Sequence, residues 1–165
     1  MSRLVQIFQG GSAGNPLSGN SLKKILNIPR FAAKNFKGSA GKGIWISISE
    51  PNDQKSVIDN EILGKLPTLR LSFWDLTESV KHDGETIHPP DENIAKEIVD
   101  FLLSHKDMNV IVNCAAGISR SGAVAQFCED FLGYEWLEMG KKNALPNSVL
   151  YKLMRDYFLS LTKPK

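Results

Sequence analysis

The chain predicts an α/β fold, a central and largely parallel sheet with helices on both faces, and three observations predict it. The runs 44–48 and 69–73 alternate as sheet strands do, and 110–112 is continuously apolar and β-branched, as a strand buried on both faces is. Apolar positions recur at helical spacing over 94–102 and 149–157. Val110–Val112 also runs through a compact loop of small residues into an apolar-periodic segment, the strand–loop–helix step from which such sheets are built. A length of 165 residues fits one domain, 1–165, large enough to bury a real core.

Taken in order, Leu4–Phe8 alternates as a first strand, and Gly10–Gly19, with Pro16, forms a loop. That glycine-rich run lacks the Gly-Lys-Ser/Thr ending of a nucleotide-binding loop and reads as a turn. Ser21 caps a short helix carrying Leu22, Ile25 and Leu26, which Pro29 ends. Residues 31–36 fit either state. Gly41 and Gly43 introduce the alternating strand Ile44–Ile48, which stops before Pro51. Leu69, Leu71 and Phe73 alternate with Arg70 and Ser72 and deliver Trp74 and Asp75 at the strand's C-terminal end. Leu76–Pro90 is long and polar, with Gly84 near its middle, as lids are. Asp91 caps a helix with the stripe Ile94, Ile98, Phe101 and Leu102, while Glu92 and Glu97 face water. After the small-residue loop that follows Val112 comes a helix that begins past Ser121 and ends at Gly133. Pro146 and Asn147 open a final helix buried through Val149, Leu150, Leu153, Met154 and Tyr157.

Composition narrows the function classes. Hydrophobic residues make up 42% and charged residues 23%, ordinary for a globular protein, and a net charge of +2 gives no ground for wrapping nucleic acid or binding a membrane surface. No apolar run approaches the length of a membrane span and no signal-peptide core opens the chain, which points to the cytoplasm. Two cysteines, Cys114 and Cys128, are too few for a disulfide framework, and Cys128 reads as core filling. The histidines 82, 88 and 105 show no paired metal-ligand spacing.

The chemistry sits in Asn109–Phe127. Between Val112 and Ser121 the chain reads Asn113, Cys114, Ala115, Ala116, Gly117, Ile118, Ser119, Arg120, so five residues separate the thiol from the guanidinium. A loop wrapped at the start of a helix turns several backbone N–H groups toward one point, and the helix dipole adds positive potential there. Gly117 allows backbone angles closed to other residues, and the small Ala115, Ala116 and Ser119 let an oxyanion approach the main chain. Arg120 adds a planar fork suited to two oxygens of a phosphate. A cysteine in such a field favours its thiolate, the nucleophilic form. The competing reading, a buried structural cysteine beside a surface arginine, leaves the small-residue loop unexplained.

Cys114, five intervening residues, Arg120 and Ser121 resemble the signature of the cysteine-dependent protein-tyrosine and dual-specificity phosphatases, in their small bacterial or viral form. The resemblance implies a single dual-specificity-phosphatase-like domain whose phosphate loop lies between the last strand and its helix. It implies that Cys114 attacks phosphorus, that Arg120 and the amides of Ala115, Ala116, Gly117, Ile118 and Ser119 hold the phosphoryl oxygens, and that Ser121 helps the thiolate leave. The family places histidine before the cysteine, whereas this chain has Asn113, which keeps a hydrogen-bonding side chain without charge. An aspartate supplies the proton to the leaving oxygen. Asp75, at a strand end in Phe73-Trp74-Asp75-Leu76, is the first candidate, with Asp83 on the lid second and Asp91 a helix cap. The Pro146-Asn147 pair also resembles a late element of small dual-specificity phosphatases, which implies that Asn147 braces the loop. No cofactor and no metal is implied. The implied partner is a phosphorylated protein, with phosphotyrosine and phosphoserine or phosphothreonine as substrates. A phosphate-recognition module without turnover and an RNA 5′-phosphatase remain as alternatives.

Overall fold

The computed structural model describes residues 22–164. The strand expected at Leu4–Phe8, the loop Gly10–Gly19 and Ser21 lie outside the described residues. Five strands form one sheet: β1 (Lys24–Pro29), β2 (Gly43–Ser49), β3 (Thr68–Ser72), β6 (Asn109–Cys114) and β7 (Glu135–Trp136). Their spatial order is β3-β2-β6-β1-β7, and every neighbouring pair is parallel. A separate antiparallel hairpin pairs β4 (Val80–His82) with β5 (Glu85–Ile87). The helices are α1 (Arg30–Lys34), α2 (Glu92–Ser104), α3 (Arg120–Phe131), α4 (Glu138–Lys141) and α5 (Ser148–Thr162). No described helix is long and apolar enough to cross a membrane.

The two-residue period of the strands sorts their side chains into two cores. On one face Ile25, Ile44, Ile46, Ile48, Val110 and Val112 pack under α2, α3 and α5, which contribute Ile98, Leu102, Phe127, Leu150 and Met154. On the other face Leu26, Ile28, Trp45 and Ile111 meet Ala33, Phe36, Ile58, Leu63 and Leu137. Burying each large side chain contributes about 1.5–3 kcal/mol relative to leaving it in water. Cys128 lies fully buried in the first core, and that burial pushes its thiol far above the usual range, against the opposing charge of Lys23. It is filling, as its position on α3 implies.

Three expectations are corrected. The segment read as a helix around Leu22–Leu26 is strand β1, inserted between β6 and β7. Only Ile25, Leu26 and Ile28 carry the apolar signal there, and a run that short has no distinguishing period. Residues 31–36 begin as the short helix α1, which the sequence left open. The loop after Cys114 does not follow the last strand, because two-residue β7 comes after α3 and closes the β1 edge through the pairs Lys24↔Glu135 and Ile25↔Trp136. Helix α3 also starts at Arg120 rather than past Ser121, so the arginine opens its first turn.

The segment Leu76–Pro90 holds more order than its polarity suggests. Asp83 and Gly84 both have positive φ, 51° and 79°, the geometry of a tight two-residue hairpin turn. Asp91 caps α2 by accepting a hydrogen bond from Ile94 N at 3.0 Å.

Candidate active site

Because all five strands run the same way, their C-terminal ends share one edge, where ligands gather in open α/β sheets. Register fixes which residues meet there: Pro29 lies beside Cys114, and Ser49 beside Ser72. The residues that follow, Arg30, Glu50, Phe73 to Asp75 and the 115–119 loop, therefore converge.

The loop is tied from outside by its carbonyls. Arg30 N donates to Ala115 O at 3.2 Å, Asn27 Nδ2 to Gly117 O at 2.9 Å, Leu145 N to Ile118 O at 3.2 Å, and Asn147 N to Ser119 O at 3.0 Å. In a trans peptide the C=O of one residue and the N–H of the next point in opposite directions. Anchoring the carbonyls of 115, 117, 118 and 119 outward thus turns the N–H groups of 116, 118, 119 and 120 inward. No backbone N–H from Ala115 to Arg120 donates to any group of the described residues. The result is a ring of free donors at the start of α3, a concavity suited to an anion.

Gly117 makes the turn possible. Its φ is +69°, and a Cβ there would stand 2.4 Å from Ile28 C and Pro29 N. Both atoms are backbone of β1, which its neighbours on either side hold in place. Gly117→Ala is therefore expected to cost about 3 kcal/mol or more, from the left-handed conformation plus the clash. Thermal melting against the unsubstituted protein checks it, and an unchanged Tm would contradict the geometry.

Cys114 ends β6 with 2% of its surface exposed, beneath exposed Ala115 and Ala116. Its Sγ lies 3.1 Å from Ser121 Oγ, a hydroxyl that is itself buried. Arg120, 4% exposed, is locked in place: Nη1 donates to Phe73 O at 2.9 Å and Nη2 to Glu50 Oε1 at 2.8 Å. Its Nε is buried without a partner among the described residues. The other carboxylate oxygen of Glu50 accepts from Arg30 Nη2, so one acid bridges two arginines. Burial opposes charge on Glu50, but the hydrogen bond and charge of Arg120, with the charge of Arg30, outweigh it and hold the carboxyl below the usual range.

That depression fixes the sign of a pH effect. The stability Glu50 contributes is complete above its ordinary value of 4.5 and is lost as pH falls through the lower value of the folded state. Melting curves of the native chain and of Glu50→Gln are expected to converge below pH 4.5 and to separate above it. Curves that stay parallel through this window would remove the ion pair from the account.

On the β3 side Asp75 is exposed and reaches the loop. Its Oδ1 accepts from Ser119 Oγ at 2.7 Å and from Asn147 Nδ2 at 2.9 Å, while Oδ2 has no partner among the described residues. Asn147 is the joint of this corner. Its Nδ2 also donates to Leu76 O at 3.0 Å, and its Oδ1 caps α5 by accepting from Leu150 N at 3.0 Å. A cleft of about 380 Å³ opens against Asp75, Ser119 and Asn147.

Cys114, Arg120, Ser121, Asp75, Asn147 and the loop residues Ala115, Ala116, Gly117, Ile118 and Ser119 therefore stand together. Asn113 does not face them. It is fully buried, and its Oδ1 accepts from Trp45 Nε1 at 2.8 Å on the other side of the sheet. Asp83 sits at the hairpin tip beside His82, at 3.4 Å, and Asp91 is engaged as a cap. His88 pairs with Ser79 Oγ and His105 with Phe101 O. Sequence reasoning missed Glu50, Arg30 and Asn27. Glu50 carries the same signal that singled out Asp75, an acid directly beyond a buried strand. Asn27 had no such signal, since its strand went unrecognised.

No family model matches the chain, and no curated protein matches it. Solved structures with a similar course include a human tyrosine phosphatase-like serine/threonine/tyrosine-interacting protein, at 16% identity and a TM-score of 0.47 over 74% of this chain and 80% of that one. Tk-PTP in the active form is similar at 14% identity and a TM-score of 0.46, covering 85% of this chain and 92% of that one. PTPMT1 in complex with PI(5)P is similar at 15% identity and a TM-score of 0.42, covering 73% and 81%.

Proposed function

We propose that the chain hydrolyses phosphomonoesters of proteins, phosphotyrosine and also phosphoserine or phosphothreonine, through a cysteinyl-phosphate. The observation that carries this reading is the thiol of Cys114 at the floor of a ring of unpaired amides, with Ser121 Oγ 3.1 Å away and Arg120 fixed alongside.

In the first step the Cys114 thiolate forms an S–P bond as the ester P–O bond breaks. The electron pair of that bond passes to the leaving oxygen, which takes a proton from Asp75. Loop amides and Arg120 hold the equatorial oxygens, whose charge they meet without reorganising. In the second step water attacks phosphorus, Asp75 accepts its proton, and the S–P bond breaks to return the thiolate, steadied by the Ser121 hydroxyl. The open Oδ2 of Asp75 suits the proton transfer, since Ser119 and Asn147 already occupy Oδ1.

An aryl phosphate assay with a chelator present tests the proposal. Phenol release that vanadate blocks is the expected result, and no release at any pH would sink it. A second reading, recognition of phosphorylated partners without turnover, is favoured by the two donors on Asp75 Oδ1, which tie the proposed acid to Ser119 and Asn147. Phosphate binding without phenol release would mark it out.

A further inference from the structure

The cleft beside Asp75 has a character of its own. Among the residues that line it are two carboxylates, Asp75 and Glu78, and no lysine, arginine or histidine. Its apolar wall is Val80, Leu145 and Pro146, and two of these are left in water: Leu145 is 75% and Val80 37% exposed. The loop next door has the opposite sign, with free amides and a guanidinium. Ser119 belongs to both, contributing to the loop and donating to Asp75 at 2.7 Å.

We propose that this cleft is the leaving-group subsite and that Glu78 sets its specificity, admitting phosphomonoesters with an apolar, uncharged leaving group and repelling those that carry a second phosphate. The inference rests on reading the loop as the phosphate site. An oxygen that takes its proton from Asp75 must stand at the mouth of the cleft, so the rest of the leaving group extends toward Val80 and Leu145. The first phosphate is matched by the loop. A second one would meet Glu78 and Asp75, with no cationic side chain among the described residues of the cleft to offset them. The N-terminus of α5 also borders the cleft at Ser148, but its partial charge of about half a unit is smaller than the two carboxylates opposing it. Asn147 already caps that turn through Leu150 N.

Phenyl phosphate and 1,4-phenylene bisphosphate differ only in the second phosphate, so their relative affinity isolates the effect. Calorimetric titration of both at low ionic strength, with orthophosphate as a third ligand, is the experiment, run throughout in the Cys114→Ser protein so that neither ester is hydrolysed. With Glu78 in place, this protein should bind phenyl phosphate about tenfold more tightly than the bisphosphate, each like charge at this range contributing a factor of a few. That ratio should fall several-fold in Glu78→Gln and reverse in Glu78→Lys. Glu78 is exposed, so both variants are expected to fold, and near-UV circular dichroism verifies it. Equal or tighter binding of the bisphosphate with Glu78 in place, or a ratio unmoved by both substitutions, overturns the assignment of the cleft while orthophosphate binding leaves the loop reading intact. Failure of all three ligands to bind overturns the loop reading, and the cleft assignment with it.

Discussion

Cys114→Ser should lower turnover of an aryl phosphate by about 10⁴-fold or more, the scale on which loss of a covalent nucleophile is felt. Serine nearly preserves the shape and keeps a hydrogen-bonding group opposite Ser121 Oγ, which lies 3.1 Å from the native sulfur. It does not preserve the nucleophile, because an alcohol is a far weaker acid than a thiol and, among the described residues, its hydrogen-bond partner is the Ser121 hydroxyl rather than a base. The amides of the loop are untouched, since their orientation comes from the carbonyl anchors to Arg30, Asn27, Leu145 and Asn147. Orthophosphate affinity is therefore expected to stay within a few-fold. Steady-state kinetics and calorimetry on the same preparation separate the two effects, and turnover that survives the substitution would refute a covalent intermediate.

Arg120→Lys should cost about 10³-fold in kcat/KM although the formal charge is kept. The guanidinium is pinned at two points, Phe73 O and Glu50 Oε1, and it still has an unpaired Nε. A lysine ammonium is a single point charge on a flexible stem. If it meets Glu50 it cannot also hold Phe73 O and offer further donors to a phosphoryl group. Glu50 would then be shared between Arg30 and a mobile cation, so the loss should appear in kcat as well as KM. Glu50→Gln should act in the same direction but more weakly, by about one order of magnitude, because Phe73 O still holds the arginine. Kinetics for the two variants side by side provide the check, and equal losses would mean that the carboxylate, not the fork, dominates.

The strands at 44–48 and 69–73 were legible from their alternation, the strand at 110–112 from an unbroken β-branched run leading into a loop and helix, and the helices that begin at 92 and 148 from a capping residue ahead of an apolar stripe. So was the loop, since glycine and small residues between a strand and a helix leave few alternatives. β1 was not legible. Its apolar residues number three, and buried Asn27 interrupts them for a reason that lies elsewhere in the chain: it bonds Gly117 O, Gly140 O and Trp136 Nε1. The β4–β5 hairpin hid for a related reason. Asp83-Gly84 is a strong turn pair, but each strand has three residues and a single apolar one, Val80 or Ile87, too few to show a period. Glu50 shows a third limit, for an acid at a strand end gains meaning only when the arginines that face it are known.

The four ties that shape the loop come from sequence-distant parts: Asn27 and Arg30 lie far upstream of Gly117 and Ala115, and Leu145 and Asn147 lie beyond β7. No local segment can assemble the cradle by itself. It comes into being only when both ends of the described chain have docked, which makes occupancy by an oxyanion thermodynamically linked to completion of folding. Any anion seated there is released on unfolding, so raising its concentration shifts the melting transition upward by mass action, even in variants that perform no chemistry.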